Sequence, residues 1–243
     1  MIRLTILTVL IAFAFIGYPA WAEPARANTT YIVWVDITRS ITQADLRRWH
    51  TTVERKFLST IACGDRVVMF PVQKDTTRAG AWVEWVTAPL DDEPTKSELL
   101  ACRKAQAELK RSVRTIFHDL VTAQPSAGWT DLVGTLERLA GYTTQTGQQR
   151  MVVLYLSDMV QASPELNLEK TKLTADTIGP LTDAIILNHQ SALSAWNGVR
   201  VRCWLNVVGP DVAPPLNSQP ILKAFYTELF RKTGSVLEEF QSL

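Results

Sequence analysis

Short apolar runs that stop abruptly at polar residues alternate along this chain with stretches of helical periodicity. The first run, Tyr31-Ile-Val-Trp-Val, ends at Asp36 and is followed by hydroxyls at alternate positions, Thr38 and Ser40. An unbroken apolar segment with polar bounds predicts a strand buried on both faces, as in a parallel sheet. Thr42 with Asp45 three residues later then forms a capping signature, and Leu46, Trp49, Val53, Phe57 and Ile61 recur at helical spacing until Gly64. Arg66 to Val72 reads as a second strand and Ala81 to Ala88, with Trp82, Trp85 and Val86, as a third. Asp91-Asp-Glu-Pro94 marks a turn. Lys96 to Val121 predicts a long amphipathic helix with Leu99, Leu100, Leu109, Val113, Ile116, Phe117 and Leu120 on its apolar side.

The second half repeats the alternation. Gly128-Trp-Thr130-Asp131 opens a helical stretch from Leu132 to Leu139, and Arg150-Met-Val-Val-Leu-Tyr-Leu-Ser157-Asp158 is another apolar strand that ends in an acid. About forty residues separate Asp158 from the next strand, Val199 to Val208, more than a plain connection requires. Leu181 to Trp196 predicts a helix. Met159 to Thr177 is polar and leaves directly from Asp158, which fits either a flap over a ligand or ordinary surface decoration. The chain closes with a helix from Gln219 to Lys232, started by Pro220 and stopped by Gly234, and a short strand around Val236 to Phe240.

In an open parallel sheet, ligands bind in the crevice beyond the carboxyl ends of the strands. Asp36, Thr38, Ser40, Thr130 and Asp158 are therefore expected to converge, and such hard oxygens select Mg²⁺, Mn²⁺ or Ca²⁺ over zinc. The same residue types also crowd turns and helix caps for purely structural reasons. His50, His118 and His189 lack metalloprotease-type spacing and read as packing or partly exposed residues.

At these positions the chain resembles the von Willebrand factor A family, whose metal-ion-dependent adhesion site uses Asp-x-Ser-x-Ser, a Thr in a later loop and an Asp after a central strand. The resemblance runs from about Thr30 to Phe240, with further echoes at Gly64-Asp-Arg-Val-Val68 and Phe225-Tyr-Thr-Glu-Leu-Phe-Arg-Lys-Thr-Gly234. It implies a doubly wound α/β fold, a mostly parallel central sheet flanked by helices, with the third strand as an antiparallel edge. Three departures stand out. Thr38 replaces the first Ser and keeps its hydroxyl, Arg39 replaces a residue that is usually small, and Met159 replaces the Gly that customarily follows the last Asp.

The resemblance also implies chemistry. Ser40, Thr38 and Thr130 would bind the ion directly or nearly so, Asp36 and Asp158 partly through water, and a partner's Asp or Glu would complete the coordination. That is binding rather than catalysis. A phosphatase of the haloacid dehalogenase type would need an acid where Thr38 stands, and neither a GxSxG elbow nor a phosphate-cradling GxxxxGK[ST] loop occurs. An envelope-assembly or structural subunit that keeps the fold without using metal remains the alternative, with a metal-dependent phosphohydrolase behind it.

The first 22 residues bear on location. Arg3 precedes an apolar run from Leu4 to Ile16, then Tyr18-Pro-Ala20-Trp-Ala22, the order of a secretory signal peptide with a small-x-small cleavage site. Residues 1–22 are thus expected to be a removable leader, with 23–243 a single domain, secreted or periplasmic and without a stable membrane span; an uncleaved anchor is the alternative. The chain carries 25 Lys and Arg against 24 Asp and Glu, with no basic run, so nothing favours nucleic-acid binding. Three cysteines cannot all pair within one chain. The family topology brings Cys63 and Cys102 to the sheet end opposite the site, implying that they pair; Cys203, beside Trp204 in an apolar strand, is then the free thiol.

Overall fold

The structure is a computed structural model that describes residues 28–86, 90–91, 93–122, 128–146, 150–206 and 216–243. The expected leader, residues 1–22, lies outside the described residues, as do the ends of the third and fifth predicted strands, residues 87–88 and 207–208. Six strands form one sheet: β1 (Thr29–Asp36), β2 (Arg66–Val72), β3 (Val83–Val86), β4 (Arg150–Leu156), β5 (Arg200–Leu205) and β6 (Val236–Ser242). Their spatial order is β3-β2-β1-β4-β5-β6. All neighbours run parallel except β3, which pairs antiparallel with β2 at the edge. The order reverses direction at the β1–β4 junction, and that junction places the ends of β1 and β4 side by side.

β1 is buried along its whole length, which explains its unbroken apolar sequence. Ile32 and Trp34 join one core with Val153, Tyr155, Leu136, Phe225 and Phe230, while Tyr31, Val33 and Val35 join a second with Trp49, Val67, Leu154 and Phe117. Each such fully buried side chain stabilises the fold by about 1.5–3 kcal/mol relative to exposure. The first core is covered by α3 (Gly134–Thr146), α4 (Ala175–Asn188) and α5 (Gln219–Lys232), the second by α1 (Gln43–Thr52) and α2 (Lys96–Thr122).

Local sequence sets the helix bounds. Thr42 and Asp45 form the reciprocal capping box of α1, with the Thr42 amide donating to Asp45 Oδ2 at 3.0 Å. The helical periodicity through Phe57 continues as a wider π-type turn over Val53–Phe57. Along α2, Cys102, Leu109, Val113 and Phe117 face the core, but Leu100 is 69 % exposed and Leu99 is also exposed. Those two leucines are not part of the apolar side, although Cys102 in the same turns is buried. The helix expected over Leu181–Trp196 is two elements: α4 begins earlier, at Ala175, and ends at Asn188, and Gln190–Trp196 is a separate 3₁₀ segment. α3 starts at Gly134 and continues past Leu139 to Thr146.

Cys63 and Cys102 form a disulfide with Cα atoms 5.8 Å apart, and Cys203 is a buried free thiol. No described helix is long and apolar enough to cross a membrane.

Candidate functional site

β1 delivers Asp36 to the carboxyl end of the sheet with its side chain fully buried. The turn that follows folds back on this carboxylate: Thr38 donates to Asp36 Oδ1 from its amide at 2.9 Å and from its hydroxyl at 2.6 Å. Ser40 Oγ stands 3.2 Å from Thr38 Oγ1, and Thr130 Oγ1, ninety-two residues further on, donates to Thr38 Oγ1 at 3.0 Å. From the end of β4, Ser157 Oγ donates to the other oxygen of Asp36 at 2.7 Å. Asp158 shares a side-chain hydrogen bond with Ser40 and accepts from the Val160 amide at 2.8 Å. Asp36, Thr38, Ser40, Thr130 and Asp158 thus belong to one hydrogen-bonded network at the β1–β4 junction.

The electrostatics follow from burial and crowding. Burial raises the ionisation of Asp36 above the ordinary carboxylate range, opposed by its bonds from Thr38 and Ser157. Asp158 is pushed up to about 7, first by desolvation and then by the neighbouring charge of Asp36, with exposed Glu169 adding a smaller push. Two carboxylates and three hydroxyls form an all-oxygen donor set, and this chemistry fits a hard divalent cation. No group of three or more His, Cys, Asp or Glu side chains poised to hold a metal occurs among the described residues, so any cation here depends on the hydroxyls.

Sequence reasoning missed the residues that hold the Thr130 loop in place. Thr130 exchanges backbone hydrogen bonds with Ala162 at 3.0 and 2.8 Å. The buried Gln161 side chain accepts from the amides of Leu132 and Val133 and donates to Ser163 Oγ at 2.7 Å. Asp131 accepts from the amides of Gly134 at 2.9 Å and Thr76 at 3.2 Å, which caps the entry to α3 and joins it to the β2–β3 connection. A Cβ on Gly134 would lie 2.1 Å from Asp131 Oδ2, so any larger residue there would have to displace that carboxylate from its amide partners. Asp131 was visible in sequence as an acid beside Thr130; Gln161, a lone polar residue in a polar stretch, carried no such signal.

The Met159–Thr177 segment is built as a brace. Leu166, Leu168 and Leu173 are buried, and Asn217 fastens the segment by accepting from the Leu173 amide at 2.7 Å and donating to the carbonyls of Leu168 and Thr171. Met159 is buried with a φ of 59°. That left-handed backbone is where glycine costs least, which accounts physically for the customary Gly at this place.

The histidines stand apart from the network. His118 is exposed, His50 stacks on Phe117 at 5.3 Å, and buried His189 bridges Glu137 and Glu165 through its two ring nitrogens at 2.9 and 3.0 Å.

No protein-family model and no curated protein sequence matches the chain. Among solved structures it is similar to the human COPII-coat protein Sec24c, with a TM-score of 0.50 and 10 % identity over 89 % of this chain and 29 % of that one. It is also similar to a von Willebrand factor type A protein from Catenulispora acidiphila, with a TM-score of 0.41 and 9 % identity over 88 % of this chain and 39 % of that one. The chain therefore spans well under half the length of either structure. With its six-stranded, mostly parallel sheet, single antiparallel edge and helices on both faces, the chain has a von Willebrand factor A-like fold.

Proposed function

We propose that this chain is an exported protein-binding module that captures an acidic group of a protein partner through a divalent cation, Mg²⁺ or else Mn²⁺ or Ca²⁺, held by Asp36, Thr38, Ser40, Thr130 and Asp158. The observation that carries the reading is the single network joining two carboxylates and three hydroxyls from three distant segments at the carboxyl end of the sheet. When bound, the cation supplies a Lewis-acidic point for a partner carboxylate. The chain's own residues orient that point: Ser157 fixes one oxygen of Asp36, the Val160 amide fixes Asp158, and the Ala162 pairing sets the depth of Thr130. Export is supported by the Cys63–Cys102 disulfide, since such bonds persist in oxidising compartments.

Titration calorimetry with Mg²⁺ and Mn²⁺ on wild type and Asp36→Ala tests the reading. The wild type should show cation uptake that the variant loses while remaining folded. Equal heats for the two proteins would refute the assignment. One observation favours the alternative, an assembly or structural subunit that does not use metal: the site's hydroxyls and carboxylates already satisfy one another. Partner capture from a periplasmic or secreted fraction that is indifferent to chelator would support that alternative. A carboxyl titrating near 7 is also what a general base requires; phosphoester turnover abolished by Asp158→Asn would replace the binding reading with a hydrolase.

A further inference from the structure

Two loops that supply candidate ligands also carry side chains for which the site has no use. Arg39, between Thr38 and Ser40, is exposed, and Trp129, immediately before Thr130, is 44 % exposed. The Thr130-to-Thr38 hydrogen bond of 3.0 Å holds these loops in contact, so residues 39 and 129 each lie one residue, about 3.8 Å along the backbone, from the same junction. Exposed Lys74, from the β2–β3 connection, places its Nζ 5.5 Å from the centre of the Trp129 ring. A cation over an indole steadies the ring, and the exposure of Trp129 shows that Lys74 does not cover it.

Charge marks this rim. Neither Arg39 nor Lys74 forms an ion pair with an acid among the described residues, although Asp75, beside Lys74, is engaged with Arg78 and Thr77. The rim beside Thr38 and Thr130 is therefore cationic and aromatic. Exposed Trp and Arg are the residue types enriched where a few side chains carry most of a binding energy.

We propose that Trp129, Lys74 and Arg39 form a specificity rim, and that the partner is an acidic segment in which the carboxylate entering the site is followed by an aromatic side chain that packs on Trp129. The proposal rests on the reading of the site as a carboxylate-capturing metal centre, and it adds the class of sequence captured. Further acids of the segment meet Arg39 and Lys74.

The probes are the peptide acetyl-Gly-Glu-Phe-Glu-Gly-amide and its alanine counterpart, acetyl-Gly-Glu-Ala-Glu-Gly-amide, added to the full mature chain with Mg²⁺. The readout is the Trp129 indole N–H resonance, assigned by its loss in Trp129→Phe. The phenylalanine peptide should shift that resonance and bind roughly twofold to tenfold more tightly than the alanine peptide, the range expected for an aromatic pair in contact. Trp129→Ala should erase the difference between the peptides, and Lys74→Glu should weaken both. Equal affinity of the two peptides for wild type, or a preference that survives Trp129→Ala, overturns the rim. Calorimetry with Mg²⁺ alone reports the metal reading separately. If wild type takes up no Mg²⁺, that reading fails by itself; the peptide comparison is then repeated in chelator, where a retained preference upholds the rim and a lost one overturns it.

Discussion

Met159 sets two effects of opposite sign against each other, and their sizes decide what replacing it does. Its side chain is fully buried in the core beneath α3 and α5, and its backbone is left-handed with φ of 59°. Truncating a buried Met to Ala costs about 2–5 kcal/mol in lost contacts and residual cavity, while leaving the backbone penalty in place. Going on to Gly relieves roughly 1–2 kcal/mol of left-handed strain. Against this, the freer unfolded chain of a glycine takes back roughly 0.5–1 kcal/mol. Both variants should therefore be less stable than wild type, with Met159→Gly more stable than Met159→Ala by up to about 1.5 kcal/mol. In an ordinary helix or strand that order is reversed. Urea unfolding in chelator gives both differences, read from midpoints at unchanged slope. A Met159→Ala protein clearly more stable than Met159→Gly would show that residue 159 is not left-handed.

Gly134→Ala should push the Asp131 carboxylate off the amides of Gly134 and Thr76, at a cost of about 1–3 kcal/mol for buried groups left unpaired, and should weaken Mg²⁺ uptake by loosening Thr130; thermal melts and calorimetry on the same sample check both. Reduction of Cys63–Cys102, which closes a loop of 39 residues, should destabilise the chain by about 2–4 kcal/mol. In the native fold Cys203 should resist thiol reagents, because burial raises its ionisation well above the ordinary range and excludes reagent; labelling followed by peptide mapping decides this. The raised ionisation of Asp158 fixes the sign of a pH dependence. An acid whose folded pKa is above its ordinary 3.8 stabilises the fold while protonated, and that contribution is lost as pH climbs through about 7. Chelated protein should thus lose stability over that window, Asp158→Asn should flatten the loss, and urea midpoints measured against pH would show it.

The strands were legible in sequence because burial on both faces leaves an unbroken apolar run, as in Tyr31–Val35 and Met151–Leu156. Their polar stops marked the carboxyl end of the sheet, and all five candidate ligands lie there. Leu99 and Leu100 misled because periodicity reports a helix face but not whether anything packs against every residue on it. The early start of α4 was hidden by Gly179 and Pro180, breakers by propensity that the packing of Ile178, Thr182 and Ile185 overrides. The Met159–Thr177 brace was opaque for a different reason. Its anchors are Gln161 and Asn217, polar side chains buried among backbone amides and carbonyls, and polarity in sequence ordinarily signals exposure.

That brace bears on how the site keeps its shape. Thr130 precedes its helix by several residues, and an isolated loop hydroxyl would sample many positions at the end of the sheet. The Ala162 pairing and the Gln161 bonds instead tie it to the segment that begins at Asp158, so two ligands from distant parts of the chain are placed by one connected piece of backbone. Gln161→Ala would leave the Leu132 and Val133 amides unpaired at a cost of about 1–3 kcal/mol each. It should also reduce Mg²⁺ affinity without touching a ligand. Gln161→Glu keeps an acceptor for those amides but loses the donation to Ser163 Oγ. If Gln161 acts by position, the Glu variant should recover more of the Mg²⁺ affinity than the Ala variant in calorimetry. Equal affinity in all three proteins would mean that Thr130 is held, or is dispensable, by some other means.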